Sequence, residues 1–192
     1  FGIKGVMFPL VARAFGLIAS IIGILLTKLK NENEDPMSAL NRGYYITSFL
    51  AAIGFYLAVR FLLQNNLWFF FAGLVGIITS MLIVWITVYY TDHKYRPVKD
   101  IAKASQTGHG TNIITGFAVA MEATALPAVV LSAALLAAFY LGKSSGIAHG
   151  GLYGTAIATM GMLGTAAYIL AMDVFGPITD NAGGIVEMSK SP

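Results

Sequence analysis

LWFFFAGLVGIITSMLIVWITVYY, Leu67 to Tyr90, decides the fold of this chain. The stretch is apolar from end to end and carries no charged side chain. As an α-helix it rises about 1.5 Å per residue and covers roughly 36 Å, enough to cross the ~30 Å hydrocarbon core of a bilayer. A strand reading fails, because polar and apolar residues do not alternate over the span that a membrane β-barrel strand requires. A helix that is apolar all round belongs in a large core or in lipid.

Composition chooses lipid. The 192 residues are 57% hydrophobic and 11% charged, where soluble domains carry about 25% charge. The mean hydropathy is +0.73. So little charge cannot cover a water-facing surface of this size. The absence of cysteine excludes a disulfide framework and a thiolate metal centre. The net charge of +3 is small, and no basic patch interleaved with aromatics points to nucleic acid.

Four further stretches have membrane length: Val6–Thr27, Tyr44–Leu63, Ile113–Leu141 and Leu152–Phe175. The sequence therefore predicts an all-α polytopic membrane helix bundle in a single domain. Its five transmembrane helices lie at 6–27, 44–63, 67–90, 113–141 and 152–175. Loops 28–43, 91–112 and 176–184 share one face, side B. That side holds Lys28, Lys30, Arg42, Lys94, Arg96, Lys99 and Lys103, against Lys4, Arg60 and Lys143 on side A. The excess of basic residues predicts that side B is cytoplasmic. FGIKGVMFPL at the start lacks the basic n-region and cleavage site of a signal peptide. The chain reads as an internal piece of a longer protein.

Small residues recur at helical spacing, as in Gly16 and Ser20, Gly73 and Gly76, and Gly154, Gly161 and Gly164, and predict close helix packing. Trp68, Phe69, Trp85, Tyr89 and Tyr90 near segment ends read as an interfacial aromatic belt. Arg13 and Glu122 fall inside apolar segments, where an exposed charge is costly. Each reads as a structural buried pair or a snorkelling group, with an ion path as the competing reading. Pro127 predicts a kink in the fourth segment.

The remaining polar signal sits in DVFGPITDNAGG, Asp173 to Gly184. Gly176-Pro177 predicts the end of the fifth helix, and IVEM the start of another. Asp180 or Asn181 could cap that next helix through backbone N–H groups. Alternatively, the oxygens of Asp173 and Asp180 could bind a hard cation, since Mg2+ takes carboxylates, water and phosphate oxygens. SQTGHGTN, Ser105 to Asn112, could bring backbone N–H groups to an anion, but it lacks the G-x4-G-K-[ST] pattern. Thr111 or Asn112 as a helix cap accounts for it. His93, His109 and His149 form no metal-ligand spacing, and no Ser–His–Asp set is present.

Three stretches carry a resemblance: FPLVARAFGLIASIIG from Phe8, YYTDHKYRPVKDIAKASQTGHGTNIITGFAVAMEATALP from Tyr89, and YGTAIATMGMLGTAAYILAMDVFGPITDNAGGIVEMS from Tyr153. Together they resemble the membrane-bound, ion-translocating inorganic pyrophosphatases. The likeness runs through all five segments, and GPITDNAGG is its most specific part. It implies a homodimer with about sixteen membrane helices per subunit, helices being the structure that satisfies its own backbone in lipid. It implies hydrolysis of cytoplasmic Mg-pyrophosphate coupled to transport of H+ or Na+ across the plasma membrane of a prokaryote. Several Mg2+ ions are implied as cofactors, with K+ as a further candidate. Asp180 matches an aspartate of the acidic Mg-pyrophosphate site, holding both metal and substrate. Asp173 matches a second, metal-holding aspartate, and Asn181 lies with Asp180 at the substrate. The resemblance places DVFGPITDNAGG on the cytoplasmic side, in agreement with the basic loops.

The family's D-x3-D and D-x3-K-x-E substrate motif is absent from these residues. No catalytic residue is therefore assigned here, and the 192-residue piece alone is expected to be inactive. A non-hydrolytic membrane transporter or a structural helix bundle is the alternative reading.

Overall fold

The computed structural model describes residues 1–31 and 34–189. The described residues form eight α-helices and one 3-10 turn, with no strand among them. In chain order they are α1 (Ile3–Leu26), α2 (Pro36–Leu62), α3 (Leu67–Thr91), α4 (Arg96–Ser105), α5 (His109–Ala123), α6 (Ala125–Lys143), α7 (Gly150–Met162), the 3-10 turn Leu163–Thr165, and α8 (Ala166–Ser189). They make five spans long and apolar enough to cross a membrane, so this is a multi-pass membrane bundle. The third span runs through α3 and α4, the fourth through α5 and α6, and the fifth through α7, the 3-10 turn and α8.

Local chemistry sets the helix starts. Asp35 caps α2 by accepting the Met37 N–H at 3.1 Å, with Pro36 at the first helical position. Asn66 caps α3 by accepting the Trp68 N–H at 3.2 Å. Between these helices Gln64 and Asn65 have φ of 53° and 57°, so two left-handed residues reverse the chain.

α1 packs mainly on α2, while α3, α6 and α7 pack on one another. Small residues permit this. A Cβ on Gly16 would lie 2.6 Å from the carbonyl oxygen of Gly164, so α1 meets the 3-10 turn backbone to backbone.

The interior has two unlike halves. Toward side A, where α2 ends and α3 begins, Phe8, Phe55, Val59, Leu63, Phe69 and Ile157 form a dry cluster. Phe8 meets Phe55 edge to face with ring centres 5.3 Å apart. Toward side B the buried polar groups are hydroxyls. Tyr44 lies 3.0 Å from Ser80, and Ser80 lies 3.2 Å from Thr165.

Several sequence expectations need correction. Phe69 is fully buried in the core rather than part of an interfacial belt, because it faces Phe1 and Tyr153 at ring distances of 5.8 and 5.1 Å. Loop 28–43 is already helical from Pro36, and loop 91–112 contains α4 and the start of α5. Neither Thr111 nor Asn112 caps α5, which starts at His109. The Thr111 hydroxyl instead donates to the Gly108 carbonyl at 2.9 Å. The fourth segment divides at Thr124 into α5 and α6. Pro127 lacks an N–H and cannot bond the carbonyl four residues earlier, which favours an interruption there.

The largest correction concerns 176–184. Gly176-Pro177 does not end the helix, and α8 runs unbroken through Pro177 to Ser189. A residue before proline normally avoids the α-region because its Cβ clashes with the proline ring. Gly176 has no Cβ. The Thr179 hydroxyl bonds back along the helix, lying 3.0 Å from the Phe175 carbonyl and 2.8 Å from that of Gly176.

Candidate functional site

α8 carries the acidic candidates. Asp173, Asp180 and Asn181 are all exposed on it, and none begins a new helix, so the capping role for Asp180 or Asn181 is excluded. Seven helical residues turn through almost two full circles. Asp173 and Asp180 therefore share one face, about 20° apart around the axis and roughly 10.5 Å apart along it. Asn181 lies about 100° around from Asp180. Among the described residues, no hydrogen bond or ion pair engages these three side chains. Pro177 also leaves the main-chain carbonyl of Asp173 without its helical donor.

The site stands at the end of the bundle. The hydroxyl of Tyr168 donates to the Leu40 carbonyl at 2.8 Å and lies 2.8 Å from the hydroxyl of Thr27, the C-terminal cap of α1. Tyr168 is the buried residue of α8. Asp173 lies about 7.5 Å and Asp180 about 18 Å farther along the helix, beyond the end of α1. A cavity of about 540 Å³ opens between the start of α2, the second half of α3 and the root of α8. Its lining includes Met37, Ser80, Thr87, Thr91 and Leu163, and Asp173 is its charged member.

Two carboxylates this far apart cannot close on one Mg2+, whose oxygen ligands lie at about 2.0–2.1 Å. Among the described residues, no group of three His, Cys, Asp or Glu side chains could hold a metal ion.

The two membrane-segment charges are placed differently from the acidic face. Arg13 donates to the Leu163 carbonyl at the 3-10 turn that precedes α8. Glu122 lies near the end of α5 and meets Arg96 of α4 and Tyr90 of α3. Arg96 was not legible as its partner, because twenty-six residues separate the two in the chain. Tyr168 also escaped sequence reasoning. Its signal was a lone hydroxyl in the apolar run AAYILAMD.

On side B, Lys94 bonds Asp35 at 2.8 Å, and Arg42 pairs with Glu34. The Lys94 ammonium and then the Met37 N–H hold the Asp35 carboxyl below its usual range. The Arg42 guanidinium and then the Lys30 N–H do the same for Glu34. The Arg42–Glu34 pair ties the α1–α2 loop to α2, and the Lys94–Asp35 pair ties it to the turn after α3.

Residues 2–192 match the inorganic H+ pyrophosphatase family. The chain is 61% identical to the K(+)-insensitive pyrophosphate-energized proton pump 2 of Moorella thermoacetica, over all of this chain and 29% of that protein. It is 55% identical to the K(+)-insensitive pyrophosphate-energized proton pump of Caldanaerobacter subterraneus, again over all of this chain and 29% of the relative. With the pyrophosphate-energized membrane proton pump 3 of Arabidopsis thaliana it shares 53% identity, over 97% of this chain and 26% of the relative. The chain thus spans less than a third of the length of these curated relatives.

Proposed function

Because the chain belongs to the inorganic H+ pyrophosphatase family, we propose that the full-length protein carrying it is a pyrophosphate-energised ion pump. It hydrolyses cytoplasmic Mg-pyrophosphate and couples that reaction to H+ transport, with Na+ as the alternative ion. Side B is the cytoplasmic side of a prokaryotic plasma membrane, and the assembly is a homodimer. The observation that carries this reading is the face of α8. Asp173 and Asp180 are unpaired, aligned and set beyond the end of α1.

Each residue has a role its chemistry supports. Asp180 and Asp173 hold separate Mg2+ ions through carboxylate oxygens, with carboxylates from outside this chain completing the sites. The Asn181 amide donates to a pyrophosphate oxygen. Bound Mg2+ offsets the charge of pyrophosphate and of the leaving phosphate. Gly176, Gly183 and Gly184 keep this stretch of α8 slim, and a Cβ on any of them meets nothing within 4 Å in this chain. A glycine costs a helix interior about 1 kcal/mol relative to alanine. The requirement for slimness therefore comes from what approaches α8 in the whole protein. Two of the relatives above are named K(+)-insensitive, so K+ is not a required cofactor in this reading.

The test uses full-length protein in sealed inverted vesicles. Pyrophosphate is added with Mg2+, and phosphate release and lumen acidification are followed together. Hydrolysis with acidification is expected, and Asp180→Asn should abolish both. Hydrolysis without acidification moves the ion to Na+, read by sodium uptake. Absence of hydrolysis from folded wild-type protein overturns the reading in favour of a non-hydrolytic transporter. The 192-residue chain alone should release no phosphate.

A further inference from the structure

We propose that Tyr168 is a positioning residue for the acidic face of α8: its hydroxyl pins the root of that helix and thereby sets where Asp173 and Asp180 stand. The inference rests on the pyrophosphatase reading and deepens it.

Within this chain Tyr168 is the one residue of α8 that neighbouring helices bury, at 1% exposure. The ring alone would anchor it only loosely, since apolar contact is non-directional. The hydroxyl adds direction. It reaches two separate elements, the Leu40 carbonyl of α2 and the Thr27 hydroxyl at the end of α1, each at 2.8 Å. The slot that admits it is made by Gly43, because a Cβ there would collide with the Tyr168 hydroxyl.

Two other grips lie just upstream. Arg13 holds the Leu163 carbonyl, and Ser80 holds the Thr165 hydroxyl. They secure the 3-10 turn, where the regular helix is interrupted. Tyr168 is the last polar anchor before the carboxylates. Asp180 stands about 18 Å beyond it, so a 5° tilt at the anchor displaces Asp180 by about 1.6 Å. A misplacement of about 1 Å in a catalytic constellation costs on the order of a hundredfold in rate. As far as the contacts within this chain hold α8, a small loosening at Tyr168 is therefore large at Asp180.

The test compares wild type, Tyr168→Phe and Thr27→Val in the full-length protein. Tyr168→Phe removes the pin and keeps the ring. First, the Mg2+ concentration giving half of the Mg2+-induced rise in melting temperature is measured without pyrophosphate. It should increase at least fivefold in Tyr168→Phe and by a smaller factor in Thr27→Val. Second, the KM for Mg-pyrophosphate and kcat are measured. A tenfold or greater loss in kcat/KM is expected, while the melting temperature without Mg2+ stays within a few degrees of wild type. A lower melting temperature with an unchanged Mg2+ midpoint in both variants would show a merely structural tyrosine and overturn the proposal. Should Tyr168→Phe fail to fold, an unchanged Mg2+ midpoint in Thr27→Val overturns it equally. Wild-type protein that binds Mg2+ but does not hydrolyse pyrophosphate would instead sink the pyrophosphatase reading.

Discussion

One guanidinium nitrogen of Arg96 reaches both carboxylate oxygens of Glu122, at 3.0 and 3.2 Å. Arg96 opens α4 and Glu122 closes α5, so the pair ties the two helices at the end of α3. The Tyr90 hydroxyl donates to the same carboxylate at 3.3 Å, and Asp100 lies 3.6 Å from the other side of the guanidinium. Both side chains of the pair are about half exposed, at 62% and 47%.

Arg96 belongs to the side-B stretch between the third and fourth apolar segments, so the pair sits at the water-facing end of the bundle, where an ion pair is worth about 0–1 kcal/mol. Glu122→Gln is therefore expected to lower the melting temperature of the full-length protein by only a few degrees. Hydrolysis and pumping should stay within about twofold of wild type, since a neutral amide still accepts from Arg96. Loss of pumping with hydrolysis intact would return Glu122 to the role of an ion-path residue.

The contact between Gly16 and Gly164 is backbone on backbone, so nothing flexible can yield. Gly16→Ala should destabilise the bundle by about 1–3 kcal/mol, as overpacking does. Gly116 lies inside α5 with open space around it. Within this chain alanine there meets nothing, so it should cost clearly less than Gly16→Ala. Thermal melting of the two variants side by side checks the contrast, and equal effects would contradict the close approach.

Pro177 removes one rung of the α8 ladder at the Asp173 carbonyl. Pro177→Ala restores that rung. Hydrogen exchange across residues 173–181 is expected to slow in the variant. An unchanged exchange rate would mean that the proline already costs the helix nothing there.

The α1–α2 loop should respond to acid. Glu34 and Asp35 have carboxyl pKa values depressed by their cationic partners. For a depressed carboxyl the stabilising contribution is present above the unfolded pKa of about 4 and is lost as pH falls through the folded value. The melting-temperature difference between wild type and Asp35→Asn should thus be full at pH 6 and shrink toward zero as the pH drops below 4. A difference that persists unchanged at pH 3 would rule out this electrostatic clasp.

The acidic residues themselves were legible in the chain. Asp173 stands out because it ends a long apolar run, and Asp180 and Asn181 because they sit in the Gly- and Pro-marked stretch that follows. Their setting was not. Gly-Pro reads as a break, and the helix passes through it because Gly176 has no Cβ to meet the proline ring.

What the sequence determined by itself is the membrane class, the helical material of each span and the excess of basic residues on side B. These are local properties: apolar length is a property of consecutive residues, and a helix satisfies its own backbone wherever it lies in lipid. Only the tertiary structure decided which charges meet. Arg13 finds a carbonyl 150 residues away, Tyr168 finds one 128 residues away, and Glu122 finds Arg96. Each of these partnerships exists because packing brings separate helices to the same level of the bundle, and no local pattern in the chain encodes that height.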